Sequence, residues 1–322
     1  MKIRIIYFGT SRFAVQPLLA LADQPDLFEV AAVVTRPDQP AGRGHKLSAC
    51  PVAETARACG LLVFTPVSLK DDALVRELEG LGADAFVVAA YGKILPAAML
   101  ALPRLGCLNL HGSILPKFRG ASPIQAAIAA NEAETGVSLM RMDEEMDHGP
   151  VYDVACVTVG PDDTFLTLEE KLSAAATNLL VHDLPHVAAG KIAPREQDHA
   201  AATYTKLITR EDGLADWASD GAATLERRRR AHEPWPGLFT YWSRGGFSLR
   251  LTVRKAAALA EEPVTPPGTV FLTSDGYPAI VTASGALKLT ELQLEGKNPQ
   301  DGKTFLNGYP DLIGARLGKT AT

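Results

Sequence analysis

Apolar and polar residues change period several times along this chain, and each change marks an element. Lys2 to Phe8 is a β-branched and aromatic run ended by Gly9-Thr10-Ser11, and apolar positions then recur at helical spacing from Phe13 to Leu21. Glu29 to Thr35 and Leu61 to Phe64 read as further strands. Asp84 to Ala90, D-A-F-V-V-A-A, is apolar throughout, as expected of a strand covered by helices on both faces. Helical patterns at Val52 to Cys59 and Leu69 to Leu78 separate these runs. The alternation predicts an α/β fold with a doubly wound, mostly parallel, Rossmann-like sheet.

The stretch Cys107 to Gly120, C-L-N-L-H-G-S-I-L-P-K-F-R-G, reads as a short strand stopped by Gly112. Strand side chains alternate, so Asn109 and His111 share one face while Leu108 and Leu110 take the other. In open α/β sheets ligands bind beyond the carboxyl ends of strands, and this strand ends just after that pair. Pro123 to Ala130 then reads as a helix, and Gly136 to Met142 and Val151 to Val159 as strands flanking an acidic loop, Asp143 to Pro150. Thr167 with Glu170 resembles a capping box that opens a helix running to about Val187.

Gly190 to Thr209 has no clear period, which places a linker at 190–208 between a first domain, 1–189, and a second, 209–322. The second begins with a helix containing Arg227 to Arg230. Short strands follow at Phe239 to Trp242, Phe247 to Val253, Gly268 to Leu272, Ala279 to Thr282 and Ala286 to Leu292. Five such strands suggest a smaller OB-like β-barrel. Four adjacent arginines go round a helix, so at most two can face one partner, and a solvated helix face is the alternative.

Composition narrows the class. With 322 residues there is room for two cores; 47% hydrophobic and 21% charged residues describe an ordinary globular chain, with no apolar run near the roughly 20 residues of a membrane span. Met1 to Phe8 enters a strand pattern directly, without the features of a signal peptide, so a cytoplasmic protein is expected. Cys50, Cys59, Cys107 and Cys156 form no C-x-x-C pair, which argues against a disulfide framework or a thiolate zinc site. The net charge of −5 argues against indiscriminate nucleic-acid binding. Even so, from Thr209 onward 14 Lys and Arg face 13 Asp and Glu, against 18 and 24 before it. The long connection Arg36 to Lys46, R-P-D-Q-P-A-G-R-G-H-K, carries Arg36, Arg43, His45 and Lys46; it reads as a phosphate-seeking loop or a plain solvated one.

Asn109, His111 and Asp147 are the amide, imidazole and carboxylate whose expected positions meet at one end of the sheet. An amide can donate to a developing oxyanion, a histidine can exchange a proton near neutral pH, and a carboxylate can orient it. That is equipment for acyl transfer. Either Ser113 serves as nucleophile with His111 and Asp147, although H-G-S-I-L is no G-x-S-x-G elbow, or an amine attacks an activated acyl donor directly while Asn109 and His111 hold the oxyanion. A hydrogen-bonded core histidine is the plain alternative. Gly9-Thr10-Ser11 lacks the G-x-G-x-x-G spacing of a dinucleotide site, and His182 with His186 has metal-capable spacing but no third ligand, so no metal is expected.

N-L-H-G-S-I-L-P-K-F-R-G-A-S-P-I and E-T-G-V-S-L-M-R-M-D-E-E-M-D-H-G-P resemble the 10-formyltetrahydrofolate-dependent formyltransferase superfamily. F-G-T-S-R-F-A, T-R-P-D-Q-P-A-G-R-G-H-K-L, A-D-W, R-A-H-E-P-W-P and P-G-T-V are similar to its branch acting on aminoacylated initiator tRNA. The resemblance spans nearly the whole chain. It implies that Asn109 and His111 stabilise a tetrahedral intermediate, with Asp147 positioning His111 and assisting proton removal. It implies folate contacts at Ser113, Ile114, Leu115 and Pro116 and near Tyr91 and Gly92. It further implies tRNA contacts from Arg36, Arg43, Lys46 and Arg230, with 10-formyltetrahydrofolate as formyl donor, initiator methionyl-tRNA as acceptor, and a monomer. His148, where the family usually has a small residue, Glu144-Glu145 and His232 depart from the pattern. Formyl transfer to an amino sugar nucleotide, and a non-catalytic RNA-binding module, are the competing readings.

Overall fold

In the computed structural model of the protein, residues 2–41, 46–261 and 264–318 are described. The chain divides into two compact units: 1–127, 133–160 and 167–206 form the first, and 128–132, 161–166 and 207–322 the second.

In the first unit β1 (Ile3–Gly9) and β2 (Phe28–Val34) are followed by an antiparallel ribbon of β3 (Gln39–Ala41) and β4 (Lys46–Ser48). Next come β5 (Val63–Phe64), β6 (Ala85–Ala89), β7 (Cys107–His111) and, apart from the main sheet, β8 (Arg119–Gly120). β9 (Glu134–Arg141) and β10 (Val151–Thr158) complete a seven-stranded sheet ordered β10-β9-β7-β6-β1-β2-β5. Pairings from β7 through β5 are parallel, whereas β9 runs against both β7 and β10. β9 and β10 are joined by the loop 142–150, which suffices because an antiparallel neighbour needs no long crossover, whereas β7 reaches β9 through β8 and the helix Pro123–Ala129. The sheet is α/β and mostly parallel, as its alternating pattern implies.

Every residue of β6 and β7 is buried, which accounts for the unbroken apolar run of β6 and leaves Asn109 and His111 as the polar side chains carried inward by β7. Leu108 and Leu110 are 0% and 2% exposed, and such burial contributes roughly 1.5–3 kcal/mol for each leucine. This anchors the strand and fixes the facing of Asn109 and His111. Gly9 ends β1 for reasons of space: a Cβ there would lie 2.9 Å from both the Ala14 Cβ and the Tyr7 Cε1. A packing requirement thus explains the glycine that resembled a phosphate loop.

Two boundaries differ from expectation. The long helix spans Phe165–Ala188, so Thr167 sits inside its first turn rather than capping it. The segment read as a linker holds a 3-10 turn at His199–Ala201 and β11 (Tyr204–Thr205), which pairs in parallel with β8.

The second unit carries a six-stranded antiparallel sheet. Its strands are β12 (Leu238–Arg244), β13 (Phe247–Leu259), β14 (Val270–Leu272), β15 (Pro278–Val281), β16 (Ala286–Leu294) and β17 (Gln300–Asp301). The order is β12-β13-β16-β15-β14, with β17 on β16, and the named strands do not pair into a closed barrel. Residues 314–318 bond to both outer strands. Gly318 exchanges backbone bonds with Tyr241 of β12, and Val270 of β14 does so with Gly314 and Ala315. Trp217, Trp242, Leu287, Leu289 and Phe305 fill the core, with the Trp217 indole donating to Thr240 Oγ1 at 3.0 Å. Among the described residues no helix is long and apolar enough to cross a membrane.

Candidate functional site

β7 delivers Asn109 and His111, 9% and 5% exposed, to the carboxyl end of the sheet. The loop between β9 and β10 brings Asp147 to them. Asn109 Nδ2 donates to Asp147 Oδ1 at 3.3 Å, and His111 Nδ1 lies 3.6 Å from the same oxygen. Asp147 Oδ2 accepts from the Gly120 N–H of β8 at 2.8 Å. Asp147 adopts φ 50, a left-handed conformation uncommon for a residue with a side chain.

On its other side the imidazole meets the main chain: His111 Nε2 is 3.0 Å from Phe118 O. A carbonyl can only accept, so Nε2 carries a hydrogen, and Nδ1 is the ring nitrogen that faces Asp147. Ser113 does not join this cluster. It is fully buried, its Oγ donates to Lys117 O at 2.6 Å, and its carbonyl accepts from Ser138 Oγ at 2.7 Å. The serine-nucleophile reading fails on that geometry.

The other expected folate contacts are placed variously. Leu115 is buried and donates its N–H to Ser138 Oγ, whereas Ile114 and Pro116 stay partly exposed. Tyr91 is buried, its carbonyl accepts from Thr10 Oγ1, and burial pushes its phenol up to about 12. The Tyr91 hydroxyl has no partner among the described residues. Gly92 has φ 81, with open space where a side chain would be.

One sequence departure, His148, has visible partners. His148 Nδ1 lies 2.7 Å from Asp143 Oδ2, and its ring stacks on His199 at 4.0 Å with 5° between the planes. Glu144 and Glu145 are exposed. Two residues to which the sequence assigned no role, Arg119 and Gln197, hold the loop. Arg119, 1% exposed, donates to Gln197 Oε1, His199 Nδ1 and Tyr204 Oη. Gln197 Nε2 donates to the carbonyls of Asp147 at 2.9 Å and Gly149 at 2.7 Å.

The expected RNA contacts are dispersed. Arg36 is exposed after β2, Lys46 opens β4, and Arg43 lies outside the described residues. Arg230 corrects an expectation: its side chain is buried, pairs with Glu226 at 2.8 Å and donates to Asp163 O at 2.8 Å. Nε and Nη1 are thus engaged inside the unit, and burial at 7% exposure does not suit a phosphate contact. Arg228 and Arg229 are likewise committed, to Asp220 and to Glu226 and Glu233. The His182 and His186 rings are 5.2 Å apart, and no metal-ligating group of three occurs among the described residues. A cleft of about 480 Å³ in the second unit, lined by Leu294, Lys297, Phe305 and Tyr309 among others, has no carboxylate or imidazole.

The formyl transferase family matches residues 1–184, and the formyl transferase C-terminal domain matches 207–310. A protein of Roseiflexus sp. (strain RS-1) named methionyl-tRNA formyltransferase is 43% identical over 318 residues, covering 99% of this chain and 96% of that protein. One of the same name from Sorangium cellulosum (strain So ce56) is 40% identical, covering 98% and 100%. Among solved structures, the N-formyltransferase of Helicobacter canadensis, bound to folinic acid and dTDP-3-aminofucose, has TM-score 0.62 at 17% identity over 90% of this chain and 99% of its own. HypX of Aquifex aeolicus in complex with tetrahydrofolic acid has TM-score 0.61 at 17% identity, covering 97% and 48%. These two likenesses are of fold. Sequence matches over both units make the larger statement: the chain belongs to the formyl transferase family.

Proposed function

We propose that the protein transfers the formyl group of 10-formyltetrahydrofolate to the α-amine of methionine esterified to initiator tRNA. The observation that carries this is the convergence of Asn109, His111 and Asp147 at the end of the sheet, in a chain whose relatives across its whole length bear the methionyl-tRNA formyltransferase name. 10-Formyltetrahydrofolate supplies the formyl group. Tyr91, Gly92, Ile114 and Pro116 would line its site, and the unpartnered Tyr91 hydroxyl is a polar atom suited to a heterocyclic ligand.

Asn109 and His111 act on charge. As the amine nitrogen bonds to the formyl carbon, the carbonyl oxygen becomes an oxyanion, which Asn109 Nδ2–H and a protonated His111 Nδ1 would stabilise. Asp147, 3.6 Å from that nitrogen, is placed to accept the proton shed by the attacking amine. Collapse breaks the bond from the formyl carbon to the folate nitrogen, and the proton passes to that leaving nitrogen.

Arg36, Arg43 and Lys46 would serve the phosphates of the acceptor end. The 314–318 stretch that bonds both outer strands supports reading the second unit as a small oligonucleotide-binding-type barrel. A cytoplasmic monomer is the working form this reading expects. Single-turnover formylation of charged initiator tRNA tests the proposal. Tens of millimolar salt should weaken tRNA binding steeply, because phosphate contacts release counterions. Transfer to an amino sugar nucleotide with a shallow salt slope, or RNA binding with no transfer, would overturn it.

A further inference from the structure

We propose that Gln197 is a positioning residue for Asp147, itself locked by the buried guanidinium of Arg119. This rests on the functional reading above. Asp147 holds a left-handed backbone, and such conformations persist where surrounding bonds over-determine them. Its carboxylate is gripped by Asn109 and Gly120, but side-chain bonds alone leave the main chain free to turn.

Gln197 supplies the missing restraint. One nitrogen donates both of its hydrogens, at 2.9 Å to Asp147 O and 2.7 Å to Gly149 O, and so clamps the loop on either side of His148. Which way round the amide sits is settled by Arg119, whose Nε and Nη2 reach Gln197 Oε1 at 3.2 and 2.8 Å. A guanidinium only donates, so the oxygen must face it and the nitrogen must face the loop. Arg119 is fixed in turn by His199 Nδ1 at 2.9 Å and Tyr204 Oη at 3.3 Å, both on the stretch containing the 3-10 turn and β11. Gln197 is 8% exposed and Arg119 1%, so water cannot readily stand in. A glutamate here would keep the acceptor for Arg119 and lose both donors; a methionine would lose everything but volume. Gln197 directly, and His199 and Tyr204 through Arg119, thus position Asp147.

The test is a double-mutant cycle on the full chain, with 10-formyltetrahydrofolate and methionyl-tRNA, in single-turnover and steady-state assays. Gln197→Glu and Gln197→Met should each lower kcat about 10- to 100-fold, the effect expected from an ångström of misplacement, with KM for either substrate changed less than about threefold. In an Asp147→Asn background the same substitutions should add less than about twofold, because the residue they position no longer works. Wild-type kcat in both variants, a loss confined to KM, or the full factor repeated in the Asp147→Asn background would overturn the proposal. Should Gln197→Met fail to fold, Gln197→Glu, which retains the bond to Arg119, carries the cycle. A wild-type chain with no formyl transfer would sink the functional reading and this inference together, whereas an active wild type with an additive cycle sinks this inference alone.

Discussion

The main-chain N–H of Gly120 donates to Asp147 Oδ2 at 2.8 Å, joining the end of the H-G-S-I-L-P-K-F-R-G stretch to an acid 27 residues later. Gly120 has φ 108, and a Cβ there would sit 2.4 Å from Thr205 O. No side chain fits without moving the β8–β11 ribbon. Gly120→Ala should therefore destabilise the fold by about 1–3 kcal/mol and lower turnover at least tenfold. Urea unfolding and single-turnover assays measure the two effects separately; unchanged turnover would count against the role of this contact.

Asn109→Ala and His111→Ala should each reduce kcat by about 10²–10³, the range for removing one oxyanion donor, with smaller changes in KM. Ser113→Ala is the control. Its hydroxyl serves Lys117 O, so the variant should keep turnover within about tenfold and lose on the order of 1 kcal/mol of stability. Rapid-mixing experiments should show no covalent burst in either protein.

Arg230→Ala removes one partner of a largely buried pair and deprives both Glu226 carboxylate oxygens of the Nε–H they share. The expected loss is about 3 kcal/mol of unfolding free energy, with the salt dependence of tRNA binding unaltered. A changed salt slope with full stability would restore Arg230 as a phosphate contact.

Two carboxylates should give stability opposite pH slopes. At Asp84 burial alone would raise the acid, but the Arg4 N–H and the Arg104 guanidinium outweigh it and hold the group below its ordinary value near 3.8. A folded-state value below the unfolded one adds stability above the ordinary value, which is lost as pH falls through the folded one. At Glu169 burial dominates and raises the acid above 4.5, despite the Phe13 N–H and Arg12. Its contribution is fullest below 4.5 and falls as pH rises through the folded value. Denaturation midpoints against pH should lose part of their acid-side drop in Asp84→Asn, and part of their decline with rising pH in Glu169→Gln. Parallel curves for all three proteins would refute both assignments.

Much of the first unit was legible because its strands are short, buried and flanked by helices. The apolar run of β6 and the alternation of β7 follow from covering both faces of a sheet, and alternation alone set Asn109 beside His111. Strand direction has no such imprint. The reversal of β9 leaves the same two-residue period as a parallel strand, and β13 runs six residues past the expected Val253 because bulges near Lys255 carry it on. Gln197 was illegible for a different reason. It lies in an aperiodic polar stretch, and its bonds reach 48 to 50 residues back along the chain. Arg230 did leave a trace, since Glu226 stands four residues earlier on the helix, the spacing at which such pairs meet.

Residues 314–318 lie along both outer strands of the second unit's sheet. Until they emerge from the ribosome, Tyr241 of β12 and Val270 of β14 present amides and carbonyls without these partners, and open strand edges are the surfaces on which nascent chains stick to one another. The unit is thus sealed late: an early stop at residue 313 would leave every named strand in place and strip the cover from Tyr241 and Val270.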